Sequence, residues 1–535
     1  MPLRRRSFVA LAGASAALPA RAEIARSEIA RADVLRLVPS TDLAFLDPVF
    51  ASALVSVEHG YHVFDTLFGV DAALQPQPQM AESAETAPDG LAWTIRLRPG
   101  LLFHDGQPVT ARDCTASLQR WGRRDTVGRV AAAYTDGFDV LDDRTFRVRL
   151  HKPFPRLLNA YGKPHIAPAF IMPERVAQTP ADQPIREMVG SGPYRFLPGE
   201  WVPGSFVAYA RFDGYVPRPE PAAWTSGGKV AHFPRVEWHV IPDQSTAVAA
   251  LQNGEVDWME SVSADLLPLI RSDPALRTQH DDPFGKLLIM RFNHLQPPFD
   301  DVRMRRFVME LVKQSDYGSS LNGGDPGLSQ DCFSGMPCTL PGVAPVARGD
   351  FERLHGQSGQ IAAALRETGY AGQKIVILNA SDSLVIAPLG RITADLLTRA
   401  GLNVDLQEMD FGTLLKRLAS QAPAGEGGWS VYHTAWPSVS IADPMQNLTL
   451  RGEGRRGYVG WYESADMERL VSQWIEATST EARADLQMRI QLLARNDLPS
   501  LPLGMFLSNM AYRADLQGVL SGNVRYPWNV RRTRA

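Results

Sequence analysis

The chain contains 535 residues, of which 44% are hydrophobic and 21% are charged. A chain of this length exceeds what one hydrophobic core supports, so we expect two to four domains. The formal net charge of −3 excludes a broad electrostatic attraction to nucleic acid or to an acidic membrane surface. The sequence also lacks the roughly 18 consecutive apolar residues that a membrane-spanning helix requires.

Residues 1–22 are organised like an export signal. Three arginines occupy 4–6, an apolar stretch covers 8–18, and Ala-Arg-Ala at 20–22 has the form of a cleavage site. The arginines followed by Ser-Phe favour the twin-arginine route, and an ordinary Sec signal is the alternative. We therefore expect a cleaved signal peptide and a periplasmic protein.

In the first half of the mature chain, alternating apolar segments predict strands and longer apolar periods predict helices. Thr110 and Asp113 have the spacing of a capping box, which predicts a helix start. The segments with strand character are 34–38, 93–100, 145–150, 206–211, 235–241 and 286–293. Helical patterns cover 244–254 and 301–312.

The second half alternates between strand and helix. Strand patterns at 374–380, 403–409 and 429–436 are separated by helical patterns at 389–401 and 412–420. This order predicts parallel βαβ units and hence an α/β lobe. Two further helices, near 465–477 and 481–496, precede an apolar return strand with the sequence LPLGMF.

The cysteine content fits an oxidising compartment. Cys332 and Cys338 flank the short segment FSGMP, where a small disulfide ring could close. A metal site would need additional ligands, and only acidic residues of the loop are near in sequence. Cys114 lies in a helical pattern and is expected to be a buried apolar residue.

Four segments, in order along the chain, resemble one protein family. They are FHDGQPVTARDCTAS (103–117), GSGPYRF (190–196), ALQNGEVDW (250–258) and FNHLQPPFDDVRMRRFV (292–308). The first has Cys114 where valine is usual in the family. The resemblance is to the extracytoplasmic solute-binding proteins of ABC transporters, family 5, which includes dipeptide, oligopeptide, nickel and glutathione binders.

The resemblance implies a fold and a domain plan. The fold is α/β, of the bilobal type II periplasmic binding protein kind, with an additional inserted domain that makes three domains in all. The implied plan has domain I at 33–71, 190–285 and 501–535, the domain II insertion at 72–189, and the domain III lobe at 286–500.

The resemblance also implies a function. The chain would capture a peptide-like or other small organic solute by lobe closure and deliver it to an inner-membrane ABC permease. It implies a monomer, no cofactor, no nucleic-acid partner and no catalysis. Two alternatives remain open, namely an exported enzyme that uses the same cleft, and a nickel or metal-chelate binder. His59 and His62, spaced i, i+3, are the candidate metal ligands.

One motif, GEGRRG at 452–457, fits G-x-G-x-x-G but lacks its context. A dinucleotide fingerprint follows a strand and opens a helix, and here no helical period begins before Ala465. We interpret the segment as an arginine-bearing loop. The segment TSGGKV, which ends after Lys229, likewise lacks the early glycine and the Ser/Thr of a phosphate-binding loop. No G-x-S-x-G or H-E-x-x-H motif is present.

Candidate ligand contacts cluster after the predicted strand 429–436, where ligands of open α/β lobes tend to bind. In dipeptide binders an aspartate just after the strand's tryptophan holds the ligand's α-amino group, but here Ser438-Val439 takes that place. This difference argues against a free peptide N-terminus. Asp42 and Phe45 lie in the loop after the first strand, which faces the cleft in the family. The predicted ligand-binding residues are Asp42, Phe45, Tyr432, His433, Trp436, Ser438, Asp443, Arg451 and Trp461.

Overall fold

The computed structural model describes residues 33–51 and 53–533, and the predicted signal peptide lies outside these ranges. No helix of the described residues has the length and apolar character needed to cross a membrane. The strands are β1 (Val34–Val38), β2 (Asp65–Thr66), β3 (Phe68–Val70), β4 (Pro76–Pro78), β5 (Ala81–Thr86), β6 (Ala92–Leu97), β7 (Thr135–Asp142), β8 (Thr145–Leu150), β9 (Phe170–Ile171), β10 (Tyr194–Phe196), β11 (Phe206–Arg211), β12 (Arg235–His239), β13 (Trp258–Val262), β14 (Leu276–His280), β15 (Lys286–Phe292), β16 (Ser329–Gln330), β17 (Ile375–Ala380), β18 (Val404–Met409), β19 (Val431–Pro437), β20 (Ser500–Phe506), β21 (Asn509–Arg513), β22 (Leu516–Gln517) and β23 (Arg531–Arg532).

The helices surround these sheets. They are α1 (Leu54–Val63), α2 (Ala111–Arg124), α3 (Thr126–Tyr134), α4 (Leu157–Tyr161), α5 (Glu174–Ala177), α6 (Gln244–Gln252), α7 (Leu267–Arg271), α8 (Val302–Leu311), α9 (Gln314–Ser319), α10 (Ser358–Glu367), α11 (Ile386–Arg399), α12 (Phe411–Leu418), α13 (Ala465–Glu476) and α14 (Thr480–Asp497).

The first large sheet has seven strands in the order β10-β11-β12-β1-β13-β21-β14. Strand β1 is central and runs parallel to β12 and β13. Its apolar residues Val34, Leu35, Leu37 and Val38 are buried, as expected for a strand covered on both faces. Residues distant in sequence therefore build one sheet.

The inserted region between β4 and β10 carries its own four-stranded antiparallel sheet, β5-β6-β8-β7. Helix α2 packs beside it and begins with the predicted capping box, because the Asp113 carboxylate accepts the backbone N–H of Thr110 at 2.8 Å. The other carboxylate oxygen accepts the N–H of Glu174 at 2.7 Å. Cys114 is fully buried, as predicted.

The second large sheet has six strands in the order β16-β20-β15-β19-β17-β18. Strand β17 is parallel to β18 and β19, which confirms the predicted βαβ units. Strand β15 is antiparallel to β19 and β20. Cys332 and Cys338 are joined by a disulfide with an Sγ–Sγ distance of 2.09 Å.

The boundary expected at 500 is wrong in one respect. Residues 501–506 belong to β20, which pairs along β15 in the second sheet rather than returning to the first. The reason is that β20 is buried along its whole length and is covered on both edges by β15 and β16. The chain returns to the first sheet only after Phe506.

The two large sheets define two lobes. The first lobe comprises 33–280 and 509–533, and the second comprises 286–506. The chain passes between them twice, at 281–285 and at 507–508, and we call these two segments the hinge. Two short crossings are the arrangement that allows lobes to move against each other with little change inside either lobe.

Candidate ligand-binding site between the lobes

A cavity of about 260 Å³ lies where the two lobes meet. The first lobe contributes residues from 70–75 and 156–164 to its walls. The second lobe contributes residues from 340–342, 439–446 and 474–487. Neither lobe forms the cavity alone, so its shape depends on how far the lobes are closed.

Arg156, which precedes α4, reaches across the cavity towards the second lobe. Its Nη2 lies 4.0 Å from Oδ2 of Asp443. Its guanidinium carbon lies 5.0 Å from the ring centroid of Trp474, within cation–π distance. Burial lowers the pKa of Arg156, and the nearby Asp443 carboxylate opposes this shift.

Asp443, a predicted ligand contact, lines the cavity and also organises its own turn. Its Oδ1 accepts the backbone N–H groups of Met445 and Gln446 at 3.0 and 3.1 Å. Its Oδ2 accepts Nε2 of Gln446 at 2.9 Å. The carboxylate therefore has three hydrogen bonds before any contact with Arg156 is counted.

A buried hydrogen bond joins the lobes beside this cavity. Nδ1 of His165 lies 2.6 Å from Oγ of Ser440. Burial, reinforced by Lys163 and Lys286, lowers the pKa of His165 to about 3, so the ring is neutral at physiological pH. Its Nε2 has no hydrogen-bond partner among the described residues.

The hinge is held by buried polar groups. Ser508 donates to Oδ2 of Asp281 at 2.6 Å, which ties the two crossings together. Asp282 accepts the N–H of Phe284 at 2.9 Å. Burial, with a smaller effect of Asp281, raises the pKa of Asp282 to about 7, and Arg525 and Lys286 oppose this shift.

Replacement of Asp282 by asparagine is expected to change how stability depends on pH. An unfolded aspartate releases its proton near pH 4, whereas folded Asp282 holds it to about pH 7. Between these values the folded state binds the extra proton, so stability falls as pH rises, by up to about 1.4 kcal/mol per pH unit. Urea unfolding at pH 5 to 8 should show this slope reduced in the variant, and equal slopes would contradict the prediction.

The predicted residues of β19 point to opposite faces of the sheet. Tyr432 is buried against Trp429 and donates to the Tyr458 hydroxyl at 3.0 Å. His433, on the other face, lies 2.8 Å from Oγ1 of Thr393. Burial lowers the pKa of His433 to about 3. Neither side chain lines the interlobe cavity within the described ranges.

The remaining predicted residues of this region have varied surroundings. Trp436 packs edge-on against Tyr458 with ring centroids 5.7 Å apart. Ser438 is buried and donates to the backbone oxygen of Phe284 in the hinge at 2.7 Å. Trp461 is buried against Trp429.

Arg451 is occupied by carboxylates of its own lobe. Its Nε lies 3.0 Å from both oxygens of Glu468, and its Nη2 lies 2.6 Å from one of them. The same Nη2 lies 2.8 Å from Glu453. The segment 452–457 contains a short 3-10 turn, Gly454–Arg456, and a single bridge from Glu453 to Glu463, which confirms that GEGRRG is a loop.

Asp42 and Phe45 follow β1, as predicted. Oδ1 of Asp42 is buried and accepts no hydrogen bond from any described residue. Phe45 is 56% exposed. Both residues are therefore free to contact something other than their own lobe.

His59 and His62 lie inside helix α1 and are completely buried. Nδ1 of His59 lies 2.9 Å from the Tyr209 hydroxyl, and Nδ1 of His62 lies 2.8 Å from the carbonyl oxygen of Glu58. Burial lowers their pKa values to about 3 and about 4. No group of three or more metal-ligating side chains occurs in the part of the chain that the structure describes, so the pair lacks further ligands.

Arg156, His165 and Trp474 are not predictable from the sequence as parts of this site. They lie in segments whose patterns indicate ordinary helices or turns, far from the β19 region along the chain. For Arg156 and His165, the concentration of basic residues and histidines in HKPFPRLLNAYGKPH (151–165) could have drawn attention to them, whereas Trp474 lies in an ordinary helical pattern.

Comparison with known proteins gives these features a family context. The family described as "Bacterial extracellular solute-binding proteins, family 5 Middle" matches residues 75–457. A probable peptide ABC transporter periplasmic-binding protein of Sinorhizobium fredii, y4tO, is 32% identical over 498 residues, which is 92% of each chain.

Solved structures share the fold. The periplasmic binding protein DppA of Helicobacter pylori, in complex with the peptide STSA, matches with a TM-score of 0.75 at 20% identity, over 94% of this chain and 98% of that one. AgaA of A. tumefacien R10, in complex with agropinic acid, matches with a TM-score of 0.75 at 19% identity, over 94% and 99%. Together with the family match over most of the chain, this bilobal α/β fold establishes the relationship. The chain belongs to the bacterial extracellular solute-binding proteins, family 5.

Proposed function

We propose that the protein is the periplasmic substrate-binding component of an ABC importer, which captures a peptide-like or other small organic solute and delivers it to the membrane permease. The observation that carries this proposal is the cavity lined by both lobes, which two short crossings connect within the described residues. A ligand that contacts both lobes stabilises the closed arrangement, because those contacts are lost when the lobes separate. No covalent step is needed.

The size of the cavity supports a small solute. Its volume of about 260 Å³ lies just below the range of roughly 300–1,000 Å³ that is typical of drug-sized ligands. The y4tO relative and DppA carry peptide-related descriptions, and AgaA holds an opine acid. These descriptions support a peptide-like or related acid for this chain.

Among the predicted contacts, we propose Asp443 as part of the cavity wall, and Asp42, Phe45 and Trp436 as contacts of a larger ligand. Asp42 carries a buried carboxylate oxygen without a partner among the described residues, and a ligand group would satisfy such an atom. Tyr432, Trp461 and Arg451 would then act by supporting these neighbours.

The cellular setting is also part of the proposal. Residues 1–22 would be removed on export, by the twin-arginine route, and the mature chain would work in the periplasm as a monomer. The closed lobes would dock on the permease in the inner membrane.

The proposal can be tested with the mature chain from Glu23 by a thermal-shift screen of peptides, glutathione, opine acids and sugars. A true ligand at a hundredfold excess over Kd should stabilise the protein by about 2.7 kcal/mol. Small-angle scattering at saturation should then show a smaller radius of gyration. A ligand that binds tightly while the scattering profile stays unchanged would contradict lobe closure.

A further inference from the structure

The cavity between the lobes carries an excess of positive charge. Arg156, Lys163 and Arg483 line its walls, and Asp443 is the acidic residue among the lining side chains. Lys163 is neutralised by Asp125, whose Oδ2 lies 2.5 Å from Nζ in a buried pair. Arg483 donates to the carbonyl oxygen of Ala477 at 3.0 Å and to Oγ1 of Thr480 at 3.2 Å, both uncharged acceptors. Among the described residues, the cavity wall therefore carries two arginines that are not paired with another carboxylate and a single acidic side chain, Asp443.

Arg156 is the least satisfied of these cations. Its Nε is buried and has no hydrogen-bond partner in the described part of the chain. Its Nη2 lies 4.0 Å from Asp443, which is beyond hydrogen-bond distance. The Trp474 ring contacts the flat face of the guanidinium by a cation–π interaction. This contact does not provide an acceptor for the N–H donors. The Arg156 side chain is 18% exposed, and a buried N–H donor such as its Nε is costly unless a further acceptor is supplied.

Asp443 cannot readily supply that acceptor. Both of its oxygens already accept hydrogen bonds from Met445 and Gln446, which hold the carboxylate in its turn. In this arrangement Oδ2 lies 4.0 Å from Nη2 of Arg156, so no hydrogen bond joins the two side chains. The free donors of Arg156 are thus left for a group that enters the cavity.

We infer that Arg156 binds a carboxylate group of the ligand in the interlobe cavity, so that the substrate is an organic acid whose carboxylate is required for binding. This inference rests on the proposed function and specifies its substrate class. The planar guanidinium offers two parallel N–H donors to a carboxylate, which is the strongest common arrangement for this recognition. Arg483 adds positive charge from the second lobe, so a bound carboxylate draws the lobes together.

A peptide and an opine-type acid both present such a carboxylate, and the experiment separates them. The probes are the dipeptide Met-Leu and its C-terminal amide, glutathione and its diethyl ester, and agropinic acid. Each is tested at up to about 10 mM by thermal shift and calorimetry, a concentration at which even weak binding stabilises the folded state. We expect at least one free acid to bind, and its amide or ester to bind about 10- to 100-fold more weakly.

The variants Arg156→Gln and Arg156→Lys test the residue itself. Loss of the guanidinium in Arg156→Gln should lower the affinity for the acid that binds about 10- to 100-fold. The affinity for the amide or ester of that acid should stay nearly unchanged. Arg156→Lys should recover part of the loss, because it keeps the charge without the planar pair of donors. The matched control is Arg149→Gln, which removes an exposed ion pair with Asp139 (3.0 Å) inside the first lobe and away from the cavity and should leave every affinity unchanged.

Three results would overturn the inference. These are equal binding of an acid and its amide or ester, an undiminished affinity in Arg156→Gln, or no stabilisation by any free acid in the panel. The proposed transport function is tested separately, by whether any ligand binds and compacts the protein. If an uncharged amide, ester or sugar binds and compacts the protein, the proposed transport function is supported and the carboxylate inference is wrong.

Discussion

Replacement of Lys229 by methionine is expected to lower the free energy of unfolding by about 3–5 kcal/mol. Lys229 Nζ lies 2.7 Å from Oδ1 of Asp65, and both side chains are only 1% exposed. Methionine matches the length of the lysine side chain but leaves the Asp65 carboxylate buried without its counter-charge. The remaining hydrogen bonds to Asp65, from the Tyr215 hydroxyl at 2.9 Å, the Thr66 backbone N–H at 2.9 Å and Gln79 Nε2 at 3.3 Å, come from neutral groups and do not replace that charge. Urea unfolding at pH 7 measures the loss.

Two comparisons make this prediction specific. Arg211→Met removes an ion pair of similar length, 2.8 Å, whose side chains are 37% and 82% exposed, and it should cost less than about 1 kcal/mol. The double variant Lys229→Met with Asp65→Leu should recover part of the loss, because no buried charge remains. A Lys229→Met protein as stable as Arg211→Met would show that the buried pair contributes no more than a surface one.

Replacement of Gly190 by alanine is expected to destabilise the protein by about 3 kcal/mol or more, because the added methyl group has no space. A Cβ atom at Gly190 would lie 1.9 Å from the backbone oxygen of Val63 and 2.7 Å from Cδ1 of Phe64. A backbone oxygen at the end of α1 cannot rotate away as a side chain can. The chain crossing between the insertion and the first sheet would have to shift.

Gly199→Ala is the matched control. A Cβ atom there would meet nothing within 4 Å, and the residue lies in an exposed 3-10 turn. Its effect should stay within about 0.5 kcal/mol. Thermal and urea unfolding of the two variants give the comparison, and similar stability of both would disprove close packing at Gly190.

Gly190 also shows what a motif in the sequence can and cannot reveal. The segment GSGPYRF predicts a turn between two structured regions, since glycine and proline together favour turns. The reason for glycine at this position is the contact with Val63, which is far away in sequence. The sequence shows that the backbone at Gly190 can adopt turn conformations. The packing shows that a side chain at this position would collide with Val63.

Strands and helices with strong periodicity were predictable, and weakly patterned ones were not. The segment 374–380 was predicted as a strand from its apolar run, and the structure has β17 at Ile375–Ala380. In contrast, β7 contains TDGFDVLD, whose glycine and aspartates disfavour strands. It becomes a strand because it pairs along β8. Pairing with a neighbouring strand outweighs local propensity.

The sequence by itself determined the family and the α/β character, because ordered motifs and βαβ periodicity depend on residues close together along the chain. It also determined the capping box at Thr110 and the rejection of GEGRRG as a dinucleotide site. The candidate binding cavity was decided only by the tertiary structure. Residues of β19 that look like one cluster point to opposite faces of a sheet, since side chains alternate along a strand. Arg156 and Trp474 meet because two lobes fold against each other, and that contact depends on the packing of the whole chain.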